Sequence, residues 1–152
     1  KLLLSQTFDH FLLVEGNITT YNTFRIDGRL HREFFSEEET EEKGLQNREF
    51  SLWKEVKPFC LELIKGKKTP LGFQFTFQLS RENTEKLLAS SGITSIQPEN
   101  LAGLLLNVRY DKGALNVITA TNLNLFTLDK SLEHAWDDMV KRFLKQQEIS
   151  FL

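Results

Sequence analysis

The sequence predicts one α+β domain in which amphipathic helices cover an antiparallel sheet. Three observations support this fold class: a stretch of alternating apolar residues near the middle of the chain, two stretches with apolar residues at steps of three and four, and patterns that recur in both halves. The domain is expected to span residues 1–152. Its halves, about 1–66 and 71–152, are predicted to be pseudo-repeats, each running strand, helix, two or three antiparallel strands and helix.

The clearest strand covers residues 73–79. Three phenylalanines and a leucine alternate there with glutamine and threonine, which is the period-two pattern of a half-buried strand. Ser80 is placed to cap a helix that follows, and Gly92 is placed to end it.

Further strands are predicted in the second half. Residues 104–110 and 114–121 flank Asp111-Lys112-Gly113, where glycine suits the positive φ of a tight hairpin. Another strand is predicted over residues 123–128, and Asp129 ends it.

The first half is predicted to contain a matching hairpin. Its strands are residues 9–15 and 18–27, with the turn at Gly16-Asn17. Lys1–Ser5 is interpreted as the tail of a helix whose beginning, with the strand before it, is not included in this chain.

Two amphipathic helices are predicted to lie on the sheet. One covers residues 52–64, with Gly66 to end it and Pro70 beyond. Because proline costs about 3 kcal/mol inside a helix, Pro58 predicts either a kink or a helix that begins near Lys57. The other helix opens at Ser131 and has an apolar stripe made of Leu132, Ala135, Trp136, Met139, Val140, Phe143 and Leu144.

The predicted repeat depends on three anchors that recur in the same order. Lys1–Ser5 matches 86–90, residues 24–30 match 126–132, and the helix around Trp53 matches the helix around Trp136. The spacings differ, mainly around residues 36–49 in the first half, so this is a pseudo-repeat and not a solenoid array.

Composition excludes several classes of protein. The longest apolar runs are a few residues, far below the roughly 20 that cross a bilayer. A net charge of −2 argues against broad attraction to nucleic acid, and the acidic run at residues 37–42 is interpreted as a solvated loop. The single cysteine, Cys60, fits a reducing compartment, so the cytoplasm is expected.

Two basic clusters are the candidate ligand or phosphate site. Four residues gather around Asp27-Gly28, and three lysines precede Pro70; together they are Arg25, Arg29, His31, Arg32, Lys65, Lys67 and Lys68. If the clusters converge in space, they could bind phosphate or nucleic acid. The alternative is a solvated turn together with a helix C-terminus whose lysines interact favourably with the helix dipole.

Other reactive residues lack a catalytic pattern. The histidines, at positions 10, 31 and 134, have no metal-binding spacing, so neither a metal nor a cofactor is expected. Cys60 lies on an apolar stripe and is expected to be buried and inert. Asp27 and Asp129 are interpreted as turn or cap residues, with an acid–base pair as the alternative.

Nearly end to end, the chain resembles a family of small uncharacterised clostridial bacterial proteins that is defined only as a domain of unknown function. The stretches that carry the resemblance are residues 11–15, 24–31, 51–59 and 127–136. The resemblance implies no activity and no site residues. In element order alone the chain is also similar to the domains of DNA sliding clamps, which pair two strand-helix-three-strand units; this likeness concerns fold and not function.

The sequence therefore favours a non-catalytic protein-interaction or assembly module, with an exposed apolar patch or a self-association surface as its expected mark. One alternative is a nucleic-acid-associated protein that uses the basic clusters. The other is a hydrolase that uses carboxylates or His31.

Overall fold

A computed structural model describes residues 5–64, 68–93, 96–124, 129–147 and 149. Within them, six strands and four α-helices follow one another along the chain. The strands are β1 (Leu12–Thr19), β2 (Thr23–Asp27), β3 (Ser51–Leu52), β4 (Gly72–Gln78), β5 (Leu101–Asp111) and β6 (Ala114–Leu123). The helices are α1 (Glu37–Glu42), α2 (Trp53–Ile64), α3 (Arg81–Ser90) and α4 (Ser131–Gln146). The predicted α+β class is confirmed.

The strands form one antiparallel sheet in the order β2-β1-β4-β5-β6. The short β3 pairs with the first two residues of β1. It lies on the same edge of β1 as β2, whose pairing begins only at Glu15. The strands β2 and β6 are therefore the two edges of the sheet.

Three helices cover one face of this sheet. Alternate residues of the strands, such as Phe75, Phe77 and Leu106, belong to the same buried cluster as Trp53 of α2 and Trp136 of α4. Leu87 and Leu88 of α3 complete it. The other face has mainly polar side chains, including Thr76, whose hydroxyl donates to Asn107 Oδ1 at 2.6 Å. No helix within the described residues has the length and apolar character needed to span a membrane.

The predictions for the second half of the chain are confirmed where the structure describes it. The strand predicted over 73–79 is β4, and Ser80 Oγ accepts a hydrogen bond from the Asn83 amide at the start of α3. The predicted hairpin joins β5 to β6 through Lys112 and Gly113, whose φ values of 52° and 78° fit a two-residue turn.

The first predicted hairpin has the wrong turn. β1 runs straight through Gly16 and Asn17, and the chain reverses at residues 20–22. Gly16 is required for packing and not for a turn, since a Cβ atom there would lie 2.4 Å from the Phe75 ring. Glycine in a strand often marks such a close approach.

Of the two alternatives for Pro58, a helix that begins near Lys57 is wrong, because Pro58 lies inside a helix that starts at Trp53. A kink at Pro58 stays a prediction. The start of this helix has two anchors: Trp53 N–H donates to the Phe11 carbonyl at 2.8 Å, and Glu55 Oε1 in the first turn accepts from the amide of Leu52, the residue before the helix, at 2.8 Å. These anchors hold the first turn in place, so the helix extends past the residue at which proline removes a hydrogen bond.

The acidic run is a short helix and not a loop. Ser36 and Glu39 form a capping box at the start of α1, and three glutamates in the first turn interact favourably with the helix dipole. All six residues of α1 are solvent-accessible, as expected of an acidic run.

Three predictions fall partly or wholly outside the described residues: the helix tail at Lys1–Ser5, the helix stop at Gly66, and the strand over 123–128, of which Leu123 is the last residue of β6. Two of the three repeat anchors extend into the same gaps. The pseudo-repeat and the clamp-like order of elements stay predictions.

Candidate functional site

An open cleft of about 1170 Å³ lies at one end of the sheet. It forms where β4 leaves the sheet. The last bond between β4 and β5 joins the Leu79 amide to the Leu104 carbonyl at 3.0 Å, after which Ser80 turns the chain into α3. β5 begins three residues before Leu104, so residues 101–103 extend past the end of β4 along the cleft.

The outer wall of the cleft is the chain between β2 and β3, residues 28–50. Its two ends are tied to each other and to β1: the Gly28 amide donates to the Val14 carbonyl at 2.9 Å, and the Ser51 amide donates to the Gly28 carbonyl at 2.8 Å. A Cβ atom on Gly28 would lie 1.7 Å from the Leu13 carbonyl oxygen. Only glycine therefore fits where the wall leaves the sheet.

Two exposed arginines join the beginning of this wall to its end. Arg32 Nε donates to the Leu45 carbonyl at 3.2 Å and its Nη2 donates to the Arg48 carbonyl at 2.6 Å. Arg29 forms an ion pair with Glu49 at 3.0 Å and lies 5.5 Å from the centre of the Phe50 ring. Both guanidinium groups thus stabilise the wall itself.

A third arginine joins the wall to α2. Arg48 Nη1 lies 3.0 Å from Glu55 Oε1, and Arg48 Nη2 donates to Glu55 Oε2 at 3.5 Å. Burial raises the pKa of Glu55, but the hydrogen bonds from Arg48 and from the Leu52 amide outweigh it, so the pKa is held below 4.5. Glu55 is therefore an ionised anchor at the start of α2.

The cleft combines an apolar floor with a charged rim. Its leucines are Leu12, Leu30, Leu52, Leu79, Leu88 and Leu101, and its charged residues are Arg29, Arg32, Glu33, Arg48, Glu49, Arg81, Glu82, Glu85 and Glu99. Arginine and glutamate are interspersed, and Arg81 pairs with Glu85 at 3.3 Å. No histidine, cysteine or aspartate is among the described residues that line it.

The structure brings together only some of the predicted basic residues. Arg29 and Arg32 share the cleft wall. Arg25 lies on β2 and is exposed, opposite Asn17 in the ladder, while His31 is exposed and 3.4 Å from Glu33. Neither lines the cleft.

The lysine cluster lies elsewhere. Lys68 is exposed and comes just before Leu71, whose amide donates to the Thr19 carbonyl at the far end of β1. The five residue steps along β1 from Val14 to Thr19 separate it from the cleft by roughly 17 Å. Lys65 and Lys67 lie outside the described residues.

The remaining candidates have structural surroundings. Cys60 is fully buried, and burial raises its thiol pKa to about 11, as expected of an inert cysteine. Asp27 Oδ1 accepts from the Arg29 amide and Asp129 Oδ1 accepts from the Ser131 amide, both at 2.9 Å, which confirms them as turn residues. Among the residues that the structure describes, no three of His, Cys, Asp and Glu are arranged to hold a metal ion.

Sequence reasoning missed Arg48, Glu55 and the role of Gly28. A glutamate at the third position of a helix is a signal that could have identified Glu55. Nothing local marks Arg48, because its carboxylate partner is set by how the wall folds back on α2.

The chain belongs to a family of unknown function, DUF5721, whose model matches residues 1–152. Comparison with curated proteins and with solved structures gives no match. The family assigns no activity.

Proposed function

We propose that this member of the family is a non-catalytic protein-interaction module that holds an extended segment of a partner protein in the cleft. One observation carries the proposal: residues 101–103 of β5 continue past the last bond from β4, beside a floor of leucines. A segment entering there would continue the ladder that β4 leaves at Leu79. Main-chain bonds of this kind give affinity, while pockets for alternate side chains give specificity.

The charges of the rim favour a polypeptide over a polyanion. Arg29 is paired with Glu49, and Arg48 is paired with Glu55. Arg32 donates to two backbone carbonyls. A phosphate ligand would have to break these contacts and approach five glutamates of the rim, at an electrostatic cost. A peptide with apolar side chains and a few charges of either sign meets no such cost.

Selection from a displayed library of random peptides tests this proposal. The wild-type protein is the bait, and Ala102→Arg is used for counter-selection. Ala102 is exposed and lines the cleft, so the arginine occupies the peptide path without disturbing the core. Ala114→Arg is the matched control, since Ala114 is also exposed but begins β6 at the opposite end of the sheet.

Peptides with alternating apolar residues are expected to be enriched on the wild type and on Ala114→Arg, and to lose at least about tenfold in affinity on Ala102→Arg, which is about 1.4 kcal/mol. If no peptide is enriched, or if both variants bind equally well, the cleft is not a peptide site.

A further inference from the structure

The two edges of the sheet differ in length and charge. β2, at one edge, has five residues and exposes Arg25 and Asp27. β6, at the other edge, has ten residues, Ala114–Leu123, with no charged side chain and no proline. Proteins usually protect a sheet edge with charges, proline or a very short strand, because an unprotected edge pairs with other chains. β2 is protected in this way and β6 is not.

The hairpin fixes which backbone groups of β6 point outward. In a two-residue hairpin the flanking residues, Asp111 and Ala114, are hydrogen-bonded to each other. Antiparallel ladders alternate, so the amides and carbonyls that point away from β5 belong to Leu115, Val117, Thr119 and Thr121. Four donors and four acceptors are thus regularly spaced along an edge that, within the described part of the chain, has no strand beside it.

We infer that β6 pairs with β6 of a second copy of this chain, antiparallel, about a two-fold axis at Ile118. This register brings all the outward groups together: Val117 meets Thr119 of the other copy, and Leu115 meets Thr121. Ile118, 56% exposed in the single chain, then lies opposite its own counterpart. Every pair in the ladder is uncharged, so self-pairing places no like charges opposite each other.

The position of α4, which packs against β6, is compatible with the same two-fold axis. Asp137 of α4 accepts a hydrogen bond from Thr119, which places the middle of α4 near the axis. A two-fold axis perpendicular to the sheet makes the two copies of α4 antiparallel on one face. The acidic side chains lie in its N-terminal half (Glu133, Asp137 and Asp138) and the basic ones in its C-terminal half (Lys141, Arg142 and Lys145). Away from the axis opposite charges therefore face each other, as Glu133 and Lys141 of the other copy do, while Asp137 near the axis is bonded to Thr119 of its own chain. This charge pattern argues for a second copy.

This inference is independent of the cleft, since β6 and the cleft wall lie at different places on the sheet. Either can fail without the other.

Disulfide trapping tests the register directly. Across a non-hydrogen-bonded pair the Cα atoms at position 118 would be about 4.5 Å apart, inside the range of roughly 4.4–6.8 Å that a disulfide spans. Ile118→Cys should therefore form a covalent dimer under mild oxidation. Asn116→Cys is the matched control: it lies on the same face of β6, but it would be about 14 Å from its counterpart. Cys60 is buried and does not compete.

Light scattering gives the second measurement. The wild type is expected to reach twice its 17.7 kDa chain mass as concentration rises. Ile118→Lys should remain a monomer at the same concentrations, with an unchanged circular dichroism spectrum. A wild type that stays monomeric throughout, or cysteines at 116 and 118 that cross-link equally fast, would overturn the inference.

Discussion

The two ends of the sheet differ in how far apart along the chain their contacting residues lie. At one end, β5 and β6 are joined by Lys112 and Gly113 alone. At the other, residues 28–50 leave the sheet after β2 and return as β3, and their stabilising contacts join residues 13 to 20 positions apart, as in Arg32 to Leu45 and Arg29 to Glu49. The hairpin end is determined by its own sequence, whereas the cleft end depends on contacts that form only when the wall folds back.

The two ends of the sheet also differ in the surface that they present. At the hairpin end the chain reverses through Lys112 and Gly113 alone. The cleft end has a wall, a floor and the first residues of β5, which extend past the end of β4. The long wall encloses the cleft that we propose as a binding surface, and the shape of this cleft depends on a few contacts, which can be removed one at a time.

The largest effect is expected from a substitution of Gly28, at the start of the wall, and it is compared with the same substitution of Gly113 in the hairpin turn. Gly28→Ala forces a Cβ atom to within 1.7 Å of the Leu13 carbonyl oxygen, so the backbone has to move, at a cost of about 4 kcal/mol or more in the free energy of unfolding. Gly113→Ala has open space around it and a φ of 78°, so it should cost about 1–2 kcal/mol. Urea denaturation measures both. Equal losses would show that the wall is not anchored at Gly28.

An intermediate effect is expected from one ion pair at each end. Arg48→Ala removes the contact with Glu55 and should cost about 1–2 kcal/mol of stability, because Arg48 is 18% exposed. Arg109→Ala removes a 3.8 Å contact with Asp111 in which both side chains are about half exposed, and it should cost less than about 0.5 kcal/mol. Thermal unfolding of the two variants gives the comparison, and an Arg109→Ala loss as large as that of Arg48→Ala would contradict it.

The smallest effect concerns pH. The pKa of Glu55 is lowered in the folded chain, so its contribution to stability is complete above its unfolded value of 4.5 and is lost as the pH falls through the lower folded value. Glu55→Gln should therefore lose stability near neutral pH and show a weaker further loss in acid than the wild type. Urea midpoints across this pH range test it. A Glu55→Gln variant with the same acid dependence as the wild type would show that the pKa of Glu55 is not lowered in the folded chain.

The sequence predicted what depends on local pattern. The β5–β6 hairpin, the Ser80 cap and the apolar faces of α2 and α4 are all set by neighbours in the chain. It could not predict the cleft, because the contacts of Arg32 and Arg48 become visible only after residues 28–50 fold back. The same cause explains the errors: Gly16 packs against Phe75 from another strand, and Trp53 is anchored by Phe11 from another segment.

Amide hydrogen exchange tests the central claim, that the cleft extends the sheet with a partner segment, most directly. A peptide obtained by selection is added to the wild type, and exchange is measured along the whole chain. Protection is expected to rise at residues 101–103 of β5 and to stay unchanged at the Lys112-Gly113 turn. Binding of the peptide without new protection at residues 101–103, with protection appearing only at amides away from the cleft, would contradict it.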